Sequence, residues 1–165
     1  MNYIYKTKVP NHNKIKKELL EIFNKIPKNS INIENENIVH TDWNLPAEMH
    51  REYGPLFLEV IKPHMIKITK DLKCADYEVQ NFWFQRYEHK NYHSWHIHPR
   101  AHFANVYFVE CPKGLSTKFK HFEEECEEGD IISFPAFLPH SSPIITENSV
   151  KTIISFNTSI HYEPI

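Results

Sequence analysis

Apolar residues recur at helical spacing early in the chain and at strand spacing later. In "NHNKIKKELLEIFNKIP", Ile15, Leu19, Ile22, Phe23 and Ile26 fall on one face of a 3.6-residue period. An asparagine stands ready as N-cap and Pro27 as the stop, so a first helix is predicted here. After a polar loop, "TDWNLPAEMHREYGPLFLEVIKPHMIKITKDLK" carries a second helical pattern, in which Gly54-Pro55 and Pro63 should break or restart the helix.

From about residue 77 the period becomes two. "YEVQNFWFQRY" alternates Val79, Asn81, Trp83, Gln85 and Tyr87 on one face with Gln80, Phe82, Phe84 and Arg86 on the other. "HFANVYFVE", a turn at "CPKG", then "STKFKHF", "GDIISFP" and "VKTIISFNTSI" complete the strand-like set. Helices first and short strands afterwards predict an α+β chain whose β part is a sandwich or barrel. The expected organisation is one domain over 1–165, with 1–75 as mainly helical support and 76–165 as the β core. With three glycines in the chain, Asn, Asp and Pro must make most of the turns.

Charge and cysteines narrow the setting. A net charge of −2 gives no reason to expect nucleic acid or an anionic membrane as partner, and runs such as "KIKKELL" and "FEEECEE" read as solvated faces. Cys74, Cys111 and Cys126 are widely spaced and include no C-x-x-C pair, which suits a reducing compartment rather than a disulfide framework. No apolar run approaches the roughly 20 residues that span a bilayer, and the N-terminus lacks the apolar core of a signal peptide. A cytoplasmic protein is the expectation.

The chemistry is concentrated in "YHSWHIHPRAHFANVYFVE". In a strand, residues i and i+2 point the same way, whereas in a helix they diverge by about 200°. His96 and His98 can therefore converge on one metal if they lie on a strand, and Pro99 disfavours a helix directly after them. His93 and His102 have helical spacings that Pro99 works against, and read as loop or surface residues. Two imidazoles make a weak site, and "GDIISFPAFLPHSSPII" offers His140 as a third ligand on a loop stiffened by prolines. The other histidines, His12, His40, His50, His64, His89, His121 and His161, sit among polar residues and are expected to be exposed.

In order and spacing, "RYEHKNYHSWHIHP", "VYF", "ISFPAFLPH" and "VKTIISFN" resemble the Fe(II)- and 2-oxoglutarate-dependent oxygenases. The resemblance is closest to a small branch carrying H-x-H-P, and more distant to prolyl 4-hydroxylases, and it spans residues 77 to 160. It implies a double-stranded β-helix (a cupin-like jelly roll) with N-terminal helices packed on one sheet. It also implies that His96, His98 and His140 hold Fe(II), with 2-oxoglutarate and O₂ as co-substrates. Lys151, eleven residues after His140, falls where most members place an Arg for the distal carboxylate of 2-oxoglutarate; prolyl 4-hydroxylases use Lys. Arg86-Tyr87 matches their Arg-Tyr pair, with Tyr87 nine residues before His96 and expected to contact the co-substrate. A buried carboxylate needs a cation and hydrogen bonds, which Lys151 and Tyr87 would supply.

Two features depart from the family pattern. His98 stands where most members have Asp or Glu, which makes the site one charge more positive and resembles thiol dioxygenases that need no 2-oxoglutarate. Ala104-Asn105 replace the branch's usual Ser-Gly, which narrows the expected pocket. The leading expectation is a dioxygenase that hydroxylates its substrate and releases succinate and CO₂. The rivals are a three-histidine cupin-type dioxygenase or isomerase, and a non-catalytic jelly-roll binding module. Trp83 and Tyr107 are candidates for lining the pocket, with a plain core role as the alternative. The substrate class expected is a small molecule, an amino-acid side chain in a protein, or a nucleobase. A second copy, if one binds, would pair through exposed edge strands.

Overall fold

The computed structural model describes residues 3–46 and 48–162. Two helices and eleven strands follow one another as β1 (Tyr5–Lys8), α1 (His12–Phe23), β2 (Ile31–Ile33), β3 (Glu36–Ile38), β4 (His40–Thr41), α2 (Gly54–Leu72), β5 (Asp76–Tyr87), β6 (Tyr92–His96), β7 (Phe103–Glu110), β8 (Lys118–Phe119), β9 (Asp130–Pro135), β10 (His140–Ser142) and β11 (Lys151–His161). All strand pairings are antiparallel. They form a six-stranded sheet in the order β1-β9-β7-β11-β5-β4 and a five-stranded sheet in the order β2-β3-β6-β10-β8.

Strand alternation divides the large sheet into two apolar faces. Phe84, Tyr107, Ile131, Ile154 and Phe156 face one way and meet the helices through Leu19, Phe23, Phe57, Ile61 and Met65. Tyr87, Val106, Phe108, Ile132, Phe134 and Ile153 face the other way and meet Ile38 and Phe119 of the small sheet. The result is three layers, helices on sheet on sheet. Each fully buried Phe or Ile contributes about 1.5–3 kcal/mol relative to exposure, so both cores hold the large sheet in place.

The helices depart from the sequence reading in their ends. α1 stops at Phe23, four residues before Pro27, and Asn11 occupies the N-cap position without a side-chain capping bond. α2 runs unbroken through Pro63. Pro63 and Glu59, whose carbonyl loses its partner, both lie on the exposed side, where water replaces the missing bond. The buried stripe of Phe57, Ile61, Met65 and Ile68 carries the helix past it.

The first 75 residues are more than helical support. β1 forms an edge of the large sheet, β2 and β3 build an edge of the small one, and β4 pairs with β5. The stretch read as a polar loop is therefore a set of two- and three-residue strands. Such strands are too short for an alternation to stand out. No helix among the described residues is long and apolar enough to cross a membrane.

Candidate metal centre

The space between the two sheets collects the histidines. His96 ends β6 and His140 begins β10, and the antiparallel register sets them directly opposite one another. Their rings lie 4.2 Å apart. His98 is not on a strand, contrary to the condition set for H-x-H. It lies in the irregular segment after β6, where its backbone N–H donates to the Ala136 carbonyl at 2.8 Å. That bond ties the segment to the end of β9 and turns the His98 ring to within 5.3 Å of His96 and 5.1 Å of His140. One nitrogen from each of the three rings lies within 4.8 Å of the other two.

The donor set suits a divalent metal. His96 Nδ1 lies 2.7 Å from the Ser94 carbonyl and His140 Nδ1 lies 2.9 Å from the Leu138 carbonyl. A carbonyl only accepts, so each Nδ1 carries the proton and each Nε2 presents a lone pair. Burial keeps the rings neutral. It lowers the pKa of His96, and takes His98 to about 4 and His140 to about 3, with neighbouring histidines adding to the last two shifts.

His93 corrects the sequence reading. It lies on β6, largely buried, with its ring stacked on His96 at 3.7 Å and 8°. Burial first, then the nearby histidines, push its pKa down to about 3. Its contact with Glu36 of β3, Nε2 to Oε1 at 3.0 Å, is therefore a hydrogen bond from a neutral imidazole. Glu36 had no signal in the sequence, because only the pairing of β3 with β6 brings it near. His102, by contrast, lies outside the strands and accepts from the Ile160 N–H through Nδ1.

Behind the histidines, Tyr87 and Lys151 are cross-strand partners on β5 and β11. Lys151 is fully buried, so the bland alternative of an exposed strand lysine does not hold. Its ammonium donates to Ser142 Oγ at 2.8 Å and lies over the Tyr87 and Phe108 rings at 5.5 and 5.9 Å. No carboxylate stands within ion-pair distance among the described residues, and burial lowers its pKa to about 8. The Tyr87 hydroxyl is also buried and completes no hydrogen bond, although it comes close to Ser142. Burial raises its pKa above the ordinary range. A buried cation without a counter-ion beside an unsatisfied phenol has the donor chemistry that an anionic oxygen would satisfy.

Beside the histidines lies an inner cavity of about 30 Å³, room for about two water molecules, lined by Tyr87, Phe134, Ser142 and Ile153; Lys151 sits behind Ser142 and is not part of the lining. It opens past Trp83 and Gln85 into an outer cleft of about 390 Å³. Trp83 lines both and stacks on His98 at 6.1 Å. Gln85 and Ser155, which share a hydrogen bond of 3.1 Å, also line the inner wall. Strand alternation, legible in the sequence, places Gln85 on the face of Trp83 and Tyr87.

Other sequence expectations fail here. Tyr107 points to the helices and meets His12 Nδ1 at 2.7 Å, so it lines no part of the cavity. His64 and His12 are not surface residues. His64 is 2% exposed and bridges Thr7 Oγ1 and Ser133 Oγ, each at 2.7 Å, and His12 is largely covered. Lone histidines give no sign of burial when their partners are a hydroxyl on another strand.

No family model matches the sequence, and no curated protein does. Solved structures do match the fold. A viral collagen prolyl hydroxylase from Paramecium Bursaria Chlorella virus-1, in complex with 2OG, aligns over 95% of this chain and 96% of its own at 16% identity, with a TM-score of 0.68. An oxidoreductase of the 2OG-Fe(II) oxygenase family from Burkholderia pseudomallei aligns over 87% and 77% at 13% identity, with a TM-score of 0.66. A Pseudomonas putida prolyl-4-hydroxylase aligns over 99% and 95% at 11% identity, with a TM-score of 0.64. The shared property is the fold, over nearly the whole chain.

Proposed function

We propose that the protein is an Fe(II)- and 2-oxoglutarate-dependent dioxygenase that hydroxylates its substrate and releases succinate and CO₂. The observation that carries this reading is the convergence of His96, His98 and His140 in front of a buried Lys151 without a counter-ion. The likeness in fold to 2OG-Fe(II) oxygenases supports it, as does the double-stranded β-helix that two facing antiparallel sheets suggest.

In this reading His96, His98 and His140 hold the iron through neutral imidazoles, and the ring N–H to carbonyl bonds of His96 and His140 fix their orientation. Iron with 2-oxoglutarate and O₂ supplies the oxidation of a substrate C–H to C–OH. Lys151 and Tyr87 pair with the distal carboxylate, replacing the hydration it loses on burial. Ser142 holds the ammonium in place until then. Trp83 and Gln85 border the passage through which substrate reaches the histidines and shield it from water.

A three-histidine dioxygenase that uses no 2-oxoglutarate is the second reading. Two observations favour it: there is no carboxylate in the triad, and the inner cavity of about 30 Å³ is smaller than a five-carbon diacid. Titrating 2-oxoglutarate into the anaerobic Fe(II)-loaded protein separates the two. The weak visible charge-transfer band of the chelate, with succinate formed when O₂ is admitted, supports the first reading. Iron bound without any band sinks it and favours the second.

A further inference from the structure

We infer that the unpaired edge of β5 is a docking site for an extended peptide segment, which adds to the large sheet as a strand and so reaches the metal centre. β5 has β11 along one edge, but on the other edge β4 pairs with Gln85 and Arg86 alone. At Phe84 side chains replace a strand: its N–H donates to Asp42 Oδ1 at 2.9 Å and its carbonyl accepts from Thr41 Oγ1 at 2.7 Å. Both main-chain groups of Phe84 therefore point away from β11. Two residues upstream, the antiparallel ladder turns the N–H and C=O of Phe82 the same way, where β4 no longer reaches.

Among the described residues, that edge is neither blocked nor blunted. It opens into a groove of about 810 Å³ lined by consecutive β5 residues, Val79 to Trp83, and walled by Trp43, Met49 and Leu58. Those three wall residues are 46%, 39% and 41% exposed, an apolar lining left bare beside unpaired main chain. The groove shares Trp43, Gln80, Asn81 and Trp83 with the outer cleft that touches His96 and His98. A strand laid against Phe82 thus has one end beside Trp83, which stacks on His98.

The chemistry identifies the occupant. The outward N–H and C=O of Phe82 are matched together by one residue of another extended polypeptide backbone, and the apolar walls beside it then select side chains. Nucleic acid or glycan would use the tryptophan faces, but neither presents a donor and an acceptor at the fixed spacing of an antiparallel strand pair. Proline-rich helices cannot donate at the pairing positions, so the segment is extended and carries non-proline residues there. This deepens the oxygenase reading by naming its substrate class, and rests on that reading for the chemistry but not for the docking.

The test selects random twelve-residue peptides on metal-free protein, with Leu58→Arg protein for counter-selection. The selected peptides should lose about tenfold in affinity when alternate amides are N-methylated, and little when the intervening ones are. Hydrogen exchange of the Phe82 amide should slow about tenfold with peptide bound, while that of Phe84, already held by Asp42, stays unchanged. Peptides indifferent to N-methylation, no enrichment over Leu58→Arg, tighter binding of a proline-rich peptide, or binding of oligothymidine or cellohexaose in their place would each overturn the proposal. Peptide binding without 2-oxoglutarate turnover would leave the docking site standing and remove the oxygenase reading. Turnover without peptide binding would do the reverse.

Discussion

Lys151 and Tyr87 stand opposite one another on β11 and β5, both without exposure, and among the described residues neither has an anionic partner. A buried ammonium costs stability unless something compensates it. The arrangement is understandable as half of an ion pair whose other half is a ligand.

In the proposed oxygenase reading, Lys151 sets a pH limit on anion binding. Its pKa is lowered to about 8, so the ammonium required by a dicarboxylate is present below that pH. Affinity for 2-oxoglutarate, measured by the visible band of the Fe(II) complex, should be flat from pH 6 to 7.5 and fall toward tenfold per pH unit above about 8. Lys151→Met should weaken binding at least about a hundredfold and remove this dependence, in line with the loss of a charge-assisted pair.

Metal binding should follow the three-histidine geometry. Co(II) titration should show His96→Ala and His140→Ala each weakening affinity about a hundredfold or more, as expected for loss of one of three ligands. His98→Asp should retain metal where His98→Ala does not, because a carboxylate at that position restores two histidines and one carboxylate. Equal metal affinity in His98→Ala and the parent would remove His98 from the ligand set.

Acid should destabilise the fold through its buried histidines. His64 is pushed down to about 4 by burial, whereas the unfolded chain protonates it near 6.5. Between those values the unfolded state binds more protons, so stability falls as pH drops below 6.5 and levels off below about 4. Unfolding free energies from urea titrations between pH 7 and 4.5 should fall accordingly, by about 1.4 kcal/mol per pH unit at most from His64 alone. His64→Gln, which keeps polar contacts with Thr7 and Ser133, should flatten the curve.

Asp42 holds the N-terminal segment to the sheet. Its carboxylate accepts from Arg51 Nε at 2.8 Å, Tyr53 Oη at 2.7 Å and the Phe84 N–H at 2.9 Å, and the residue is 1% exposed. Asp42→Ala leaves all three donors without a partner and should cost on the order of 3 kcal/mol in urea unfolding. Asp42→Asn, which can still accept from Phe84, should cost less.

The strand-like runs in 77–87, 102–110, 129–135 and 150–160 name four central strands of the large sheet: alternation stands out at the half-exposed start of β5, and β7, β9 and β11, buried on both faces, show as short unbroken apolar stretches. The same alternation places Trp83, Gln85 and Tyr87 together, and the short spacing of His96 and His98 limits where they can point. What the sequence leaves open depends on contacts between distant segments. β2, β3 and β4 are too short to carry a period, so the approach of Glu36 to His93 and of Asp42 to Phe84 exists only once the strands pair. His93 and His64 read as surface residues because burial of a lone histidine is decided by what lies across from it. The distance from His140 to His96 and the burial of Lys151 are likewise fixed by strand register, within the small sheet for the histidines and within the large sheet for the lysine, where one slipped residue would turn each side chain to the opposite face.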